Sequence, residues 1–175
     1  MSIDIETAKK DVSEMYKSLQ PTIKAIVDKH SKEIDNIILK IKKNFDTLTN
    51  KEIHDFMLQL GIETYYFSQI KDMSILKQEC ATALLKESQA NSFNGTEGTQ
   101  AIRSNQAIID SLDKQVVSLM QNAIANLMKT KLDEAHRMIN ILSGVLISKN
   151  AENKLRGVKD GENLHSDSIS EDKAF

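Results

Sequence analysis

The chain has 175 residues, a formal net charge of −2, six glycines, one proline, one cysteine and no tryptophan. So few turn-formers exclude a sheet-rich plan with many tight turns, and a lone cysteine excludes both an internal disulfide framework and a multi-cysteine zinc site. The charge is uneven: residues 156–175 carry Asp160, Glu162, Asp167, Glu171 and Asp172 against Arg156, Lys159 and Lys173, while the rest of the chain balances at 20 of each sign. A balanced body makes no global electrostatic case for nucleic acid.

Taken in chain order, the first apolar stripe is Ile5, Ala8, Val12, Met15 and Leu19, whose alternating three- and four-residue steps predict an amphipathic helix. Pro21 fits a first helical turn, where its missing N–H is no loss, so a second helix is expected from there to about Phe45. Its seam reads Ile23, Val27, His30, Ile34, Ile37, Ile41 and Phe45. The run Thr49 to Glu52, "TNKE", has the form of a capping box and predicts the start of a third helix. That helix shows Ile53, Phe56, Met57 and Leu60 before Gly61, which either stops it or bends it. From Ile62 to about Asn91 the stripe continues as Tyr66, Ile70, Met73, Leu76, Cys80 and Leu84.

Residues 91–100, "NSFNGTEGTQ", hold Gly95 and Gly98 and predict a reversal of direction through positive φ values. The longest helical run follows, roughly Thr99 to Asn150, with Ile109, Leu112, Val116, Met120, Leu127, Ala135, Met138, Leu142 and Val145 on its apolar stripe. Gly144 is the one breaker candidate inside it. The expected fold is therefore all-α: N-terminal amphipathic helices over residues 1–48, an elongated antiparallel helical hairpin or coiled coil over 49–155, and a flexible, disordered acidic tail over 156–175. The hairpin's arms are unequal in this reading, which leaves apolar stripe uncovered near the C-terminal end of the long arm. Self-association into a homo-oligomer through Tyr66, Leu127, Met138, Leu142 and Val145 is expected from it.

Enzyme signatures are missing from the pattern. His30, His54, His136 and His165 are dispersed, and Asp133 with His136 has helical i, i+3 spacing but no second pair to complete a metal site. "GTEG" has neither the spacing of a phosphate loop nor the Gly-Lys-Ser/Thr that follows one. Cys80 has no local nucleophile signature. No catalytic residue, metal or cofactor is expected. No stretch approaches the ~20 apolar residues of a membrane span, and charges are spread through the first 20 residues, so a cytoplasmic location is expected.

Two features do point to binding. Tyr65, Tyr66 and Phe67 cover about 200° of a helix, so one core-facing stripe cannot take all three rings. Between Asn126 and Lys159 the chain carries Lys129, Lys131, Arg137, Lys149, Lys154, Arg156 and Lys159 against Asp133, Glu134 and Glu152. Repeated around an oligomer, such a stripe can track a phosphate backbone.

Residues 62–155, with "YYFSQI", "LLKESQANSFNG" and a final helix ending in "SKNAENK", resemble the UvsY-type recombination mediators of tailed phages. The resemblance implies small helical subunits that assemble into rings, bind single-stranded DNA and help load a RecA-like recombinase in the cytoplasm of a phage-infected bacterium. Phe93, Asn94 and Gly95 match the family's turn by position, and Lys86 matches loosely. Thr96 and Glu97 stand where that family carries a basic residue after the turn. DNA contact is therefore expected to draw on Arg103, Lys129, Lys131 and Arg137, chosen from charge density, beside Lys86 and Phe93. A coiled-coil adaptor or phage assembly protein, acting through protein contacts alone, is the alternative.

Overall fold

The computed structural model describes the backbone of residues 5–166 and the side chains of residues 14–155, Tyr16 excepted. Among these residues every regular element is helical: α1 (Ile5–Asn44), a short 3-10 turn (Phe45–Thr47), α2 (Asn50–Gly95), α3 (Gln100–Asp110) and α4 (Leu112–Ser166). The helical backbone of α4 thus runs past residue 156, where the sequence suggested a flexible tail. The last part of that tail, residues 167–175, lies outside the described residues.

Helix α1 is continuous through Pro21, so the two N-terminal helices expected from the sequence are one. A helix-interior proline leaves the carbonyl four residues earlier without its donor. Here that carbonyl belongs to Lys17, and both Lys17 and Pro21 are exposed, within reach of water. Helix α2 starts where the capping box predicts. The Thr49 hydroxyl accepts from the Glu52 N–H at 3.2 Å, and the Glu52 carboxylate accepts from the Thr49 N–H at 2.8 Å. Gly61 neither stops nor interrupts α2, which runs for 46 residues.

The reversal after α2 is as expected in place but differs in detail. Gly95 is the last helical residue of α2, and Gly98 alone takes a positive φ, +122°. Thr99 then caps α3, its hydroxyl accepting from the Ile102 N–H. The long final run breaks at Ser111 rather than at Gly144. Buried Ser111 donates its hydroxyl to the carbonyls of Ala107, at 2.8 Å, and Ile108, at 3.2 Å, while its N–H reaches back to Ile108. A side-chain hydroxyl inserted into the backbone ladder is a known cause of helix bending, whereas Gly144 lies at an open, exposed position with no neighbour to force a break.

Helix α2 packs antiparallel to the α3–α4 arm. As α2 advances from Asn50 through Gln78 and Thr82 to Ser92, its hydrogen-bond partners fall back from Asn150 through Asn122 and Ser118 to Asp110. The arms are therefore matched along this whole length, because uninterrupted α2 reaches further than a helix begun at Ile62 would. Helix α1 lies against both arms at their open end. There Ile34, Ile37, Ile38 and Ile41 join Ile53, Leu60 and Phe67 of α2 and Ile124, Met128, Leu132, Ala135, Met138 and Leu142 of α4 in one buried cluster. Fully burying one such side chain stabilises the fold by about 1.5–3 kcal/mol. Residues 1–48 and the hairpin thus share a core. His30, placed on the α1 seam by the sequence pattern, is exposed, and Ser31 is buried in its stead with its hydroxyl donated to Asp35 at 2.7 Å.

Candidate functional site

The buried face of α2 is marked by Ile53, Leu60, Phe67, Ser74 and Ala81, a strict seven-residue repeat. Thr64, also buried, sits on the alternating positions of the same heptad seam. This is not the stripe read from the sequence. The true seam turns polar toward the tip, where Ser74 meets the Met128 sulfur at 3.1 Å, Gln78 donates to Asn122 at 3.0 Å and Lys114 donates to Ser88 at 2.9 Å. With polar groups satisfied in the seam, Met73, Leu76 and Leu84 are rotated out of it, each more than half exposed.

Those three residues, with Cys80 and Val117, floor an open groove of about 530 Å³ between α2 and α4, bordered by Lys77 and Lys114. On α2, Lys77 and Leu84 follow Ile70 at seven-residue steps, and Ile70 packs on the core that includes α1. On α4, Val117 precedes buried Ile124 and then Lys131, which pairs with α1, at the same step. Side chains seven apart share a helix face. The groove is thus the tip-ward continuation of the channel that α1 fills at the other end.

At the tip, Phe93 and Arg103 come together. The Arg103 guanidinium stands 4.1 Å above the Phe93 ring, and its Nε donates to the Phe93 carbonyl at 2.9 Å. A guanidinium stacked on a ring keeps its edge donors directed in the plane, suited to phosphate. Nearby Asp110 accepts from Ser92 and Gln106, which hold its carboxyl below the usual range.

The other cations proposed for DNA do not converge on this pair. Lys86, Lys129 and Arg137 are exposed, and Arg137 lies ~50 Å from Arg103 at ~1.5 Å of helix per residue. Lys131 is committed elsewhere: its ammonium donates to Asp35 at 2.6 Å and lies 3.9 Å from Glu134, which also pairs with Lys42. Partial burial, the largest influence on Lys131, depresses its ammonium, but the hydrogen bond to Asp35 and the charges of Asp35, Glu134 and Asp28 outweigh it and raise it above the usual lysine range. This bridge from α1 to α4, invisible in a local charge count, gives Lys131 a structural role.

The residues assigned to oligomerisation divide as well. Met138 and Leu142 are buried within the single chain and Val145 is packed against the same core, so the first two are not available on the surface as the sequence reading supposed. They are covered because α2 and α1 both reach them. Leu127 is partly exposed beside Ile23 and Val27 of α1, in a second groove of about 500 Å³. Tyr66 is exposed, edge-on to Tyr65 at 5.6 Å, while Phe67 alone of the three rings enters the core. Apolar exposure is therefore strongest along the tip half of the hairpin, not at the C-terminal end of the long arm. The groove was missed because the outward stripe looks like a core stripe until the seam beside it is known.

Among the described residues no group of three or more His, Cys, Asp and Glu side chains is placed to hold a metal ion, and no helix is long and apolar enough to cross a membrane. Comparison with protein families, curated proteins and solved structures finds no match to this chain.

Proposed function

We propose that the chain is a non-enzymatic, self-associating helical protein of the cytoplasm that binds single-stranded DNA and assists a RecA-like recombinase. The observation that carries the self-association is the tip half of the hairpin, where polar residues occupy the internal seam and Met73, Leu76, Leu84 and Val117 face water. Contiguous apolar exposure of this kind marks interaction surfaces. The DNA component is supported by the stacked Phe93 and Arg103 at the tip, by exposed Lys86, Lys129 and Arg137, and by the resemblance to phage recombination mediators. An aromatic ring beside a guanidinium is the chemistry that holds unstacked bases and their phosphates.

Fluorescence titration of a labelled oligonucleotide over a salt series tests this. Log affinity should fall linearly with log salt, with a slope of about −0.7 for each phosphate neutralised, and R103A should weaken binding. Absence of binding at low salt removes the DNA component.

A second reading, a coiled-coil adaptor or phage assembly protein acting through protein contacts alone, is favoured by the engagement of Lys131 with Asp35 and by the exposed Tyr65–Tyr66 pair. It predicts a particle mass unaffected by oligonucleotide.

A further inference from the structure

The open groove on the tip half of the hairpin continues a channel that a helix of this same chain already fills, and that continuity defines the shape of its occupant. Near Ile37, α1 faces Gln59, Ile62 and Glu63 of α2. By Gln20 to Asp28 it has moved to Ala123, Asn126, Leu127 and Thr130, on the flank of α4 turned away from α2. A continuous helix following that course passes beside its own hairpin's groove and not into it.

We infer that the groove receives the N-terminal segment of α1, residues 5–19, from a second copy of the chain. The segment carries the apolar stripe Ile5, Ala8, Val12, Met15 and Leu19, and up to residue 15 it holds Asp4, Glu6, Asp11 and Glu14 against Lys9 and Lys10. The groove offers the complement: an apolar floor with Lys77 and Lys114 at its border and no acidic side chain lining it. The lengths agree, ~21 Å from Ile5 to Leu19 against ~17 Å from Met73 to Leu84 at ~1.5 Å per residue. Docking there extends the three-helix packing of the open end over the tip half. The inference rests on the self-association proposed above and is independent of DNA binding.

Cys80, the chain's one cysteine, is exposed on the groove floor and reports the contact. Full-length protein carrying C80S together with A8C, V12C or M15C is mixed with a size-tagged wild-type chain and mildly oxidised. Any disulfide joining the two sizes then links the introduced thiol of one copy to Cys80 of the other. The expected result is a mixed-size covalent dimer from at least one of the three positions, with yield cut roughly tenfold or more by L84K in the tagged chain. Leu84 is exposed in the single chain, so the thermal unfolding midpoint of L84K should not move and a loss of yield is not a loss of folding. Association seen by mass without a mixed-size disulfide at any position overturns the inference and leaves self-association standing. So does an internally cross-linked monomer from V12C in the Cys80 background. A monomeric mass overturns both.

Discussion

Gly98 shows how much a single backbone angle decides. Its φ of +122° lies where L side chains are strained, and a Cβ built there meets the Ile102 side chain at 3.4 Å. G98A should therefore destabilise the fold by about 1–3 kcal/mol in chemical denaturation, a cost set mainly by the backbone. Thr49 and Glu52 are a second single-residue case. Backbone and then side-chain hydrogen bonds from Thr49, with a smaller contribution from Lys149, hold the Glu52 carboxyl below its ordinary range. A depressed carboxylate stabilises the folded state above its unfolded value, near pH 4.5, and that contribution is lost as pH falls through the lower folded value. T49A should cost about 1 kcal/mol at neutral pH, and the gap to wild type should narrow below pH 4.5 in acid-side melts. Both features were legible as residues, the capping box completely and the turn only as a pair of glycines.

At the scale of the element, the sequence signals were right about helix and uncertain about where each helix ends. Pro21 and Gly61 sit at exposed positions of α1 and α2, where water or open space absorbs what they omit, so neither ends its helix. Ser111 does end one, through a hydroxyl that bonds the preceding turn, and serine carries no such instruction until it is buried. Because a Cβ at position 61 meets nothing, G61A should raise stability by about 0.8–1 kcal/mol, read as a higher denaturation midpoint with unchanged slope. A drop in stability would show that α2 is not continuous there. The α2 stripe is the instructive failure. Apolar periodicity followed Tyr66, Met73, Leu76 and Leu84, whereas the helix buries Phe67, Ser74 and Ala81 beside them. Hydrophobicity alone cannot show that a serine bonded to a methionine sulfur sits inside while a leucine sits outside.

On the scale of the whole molecule, α1 is held across the hairpin by the isoleucine cluster and by the Lys131–Asp35 bridge with its neighbours Ser31, Glu134 and Lys42. K131M keeps the side chain's length and removes the charge. It should cost about 1 kcal/mol, as partly exposed ion pairs do, and flatten the alkaline limb of the stability profile. The sign follows from the raised ammonium: the bridge is fully present below pH 10.5, the ordinary lysine value, and fades as pH climbs through the higher folded value. An R137A chain supplies the contrast, since Arg137 is exposed and should leave stability nearly unchanged while weakening DNA binding in the titration above. The same assembly leaves the tip half without a third helix, which is why the exposed apolar side chains concentrate there.

By itself the amino-acid sequence determined the helical class, the start of α2 and the position of the reversal, because periodicity, capping chemistry and glycine act within a few residues of chain. Tertiary structure alone decided which face of α2 is inside, which lysine is tied to α1 and how far α1 covers the hairpin. Those outcomes depend on groups far apart in sequence, Asp35 with Lys131 and Ser74 with Met128, whose mutual satisfaction outweighs the local pattern at either one.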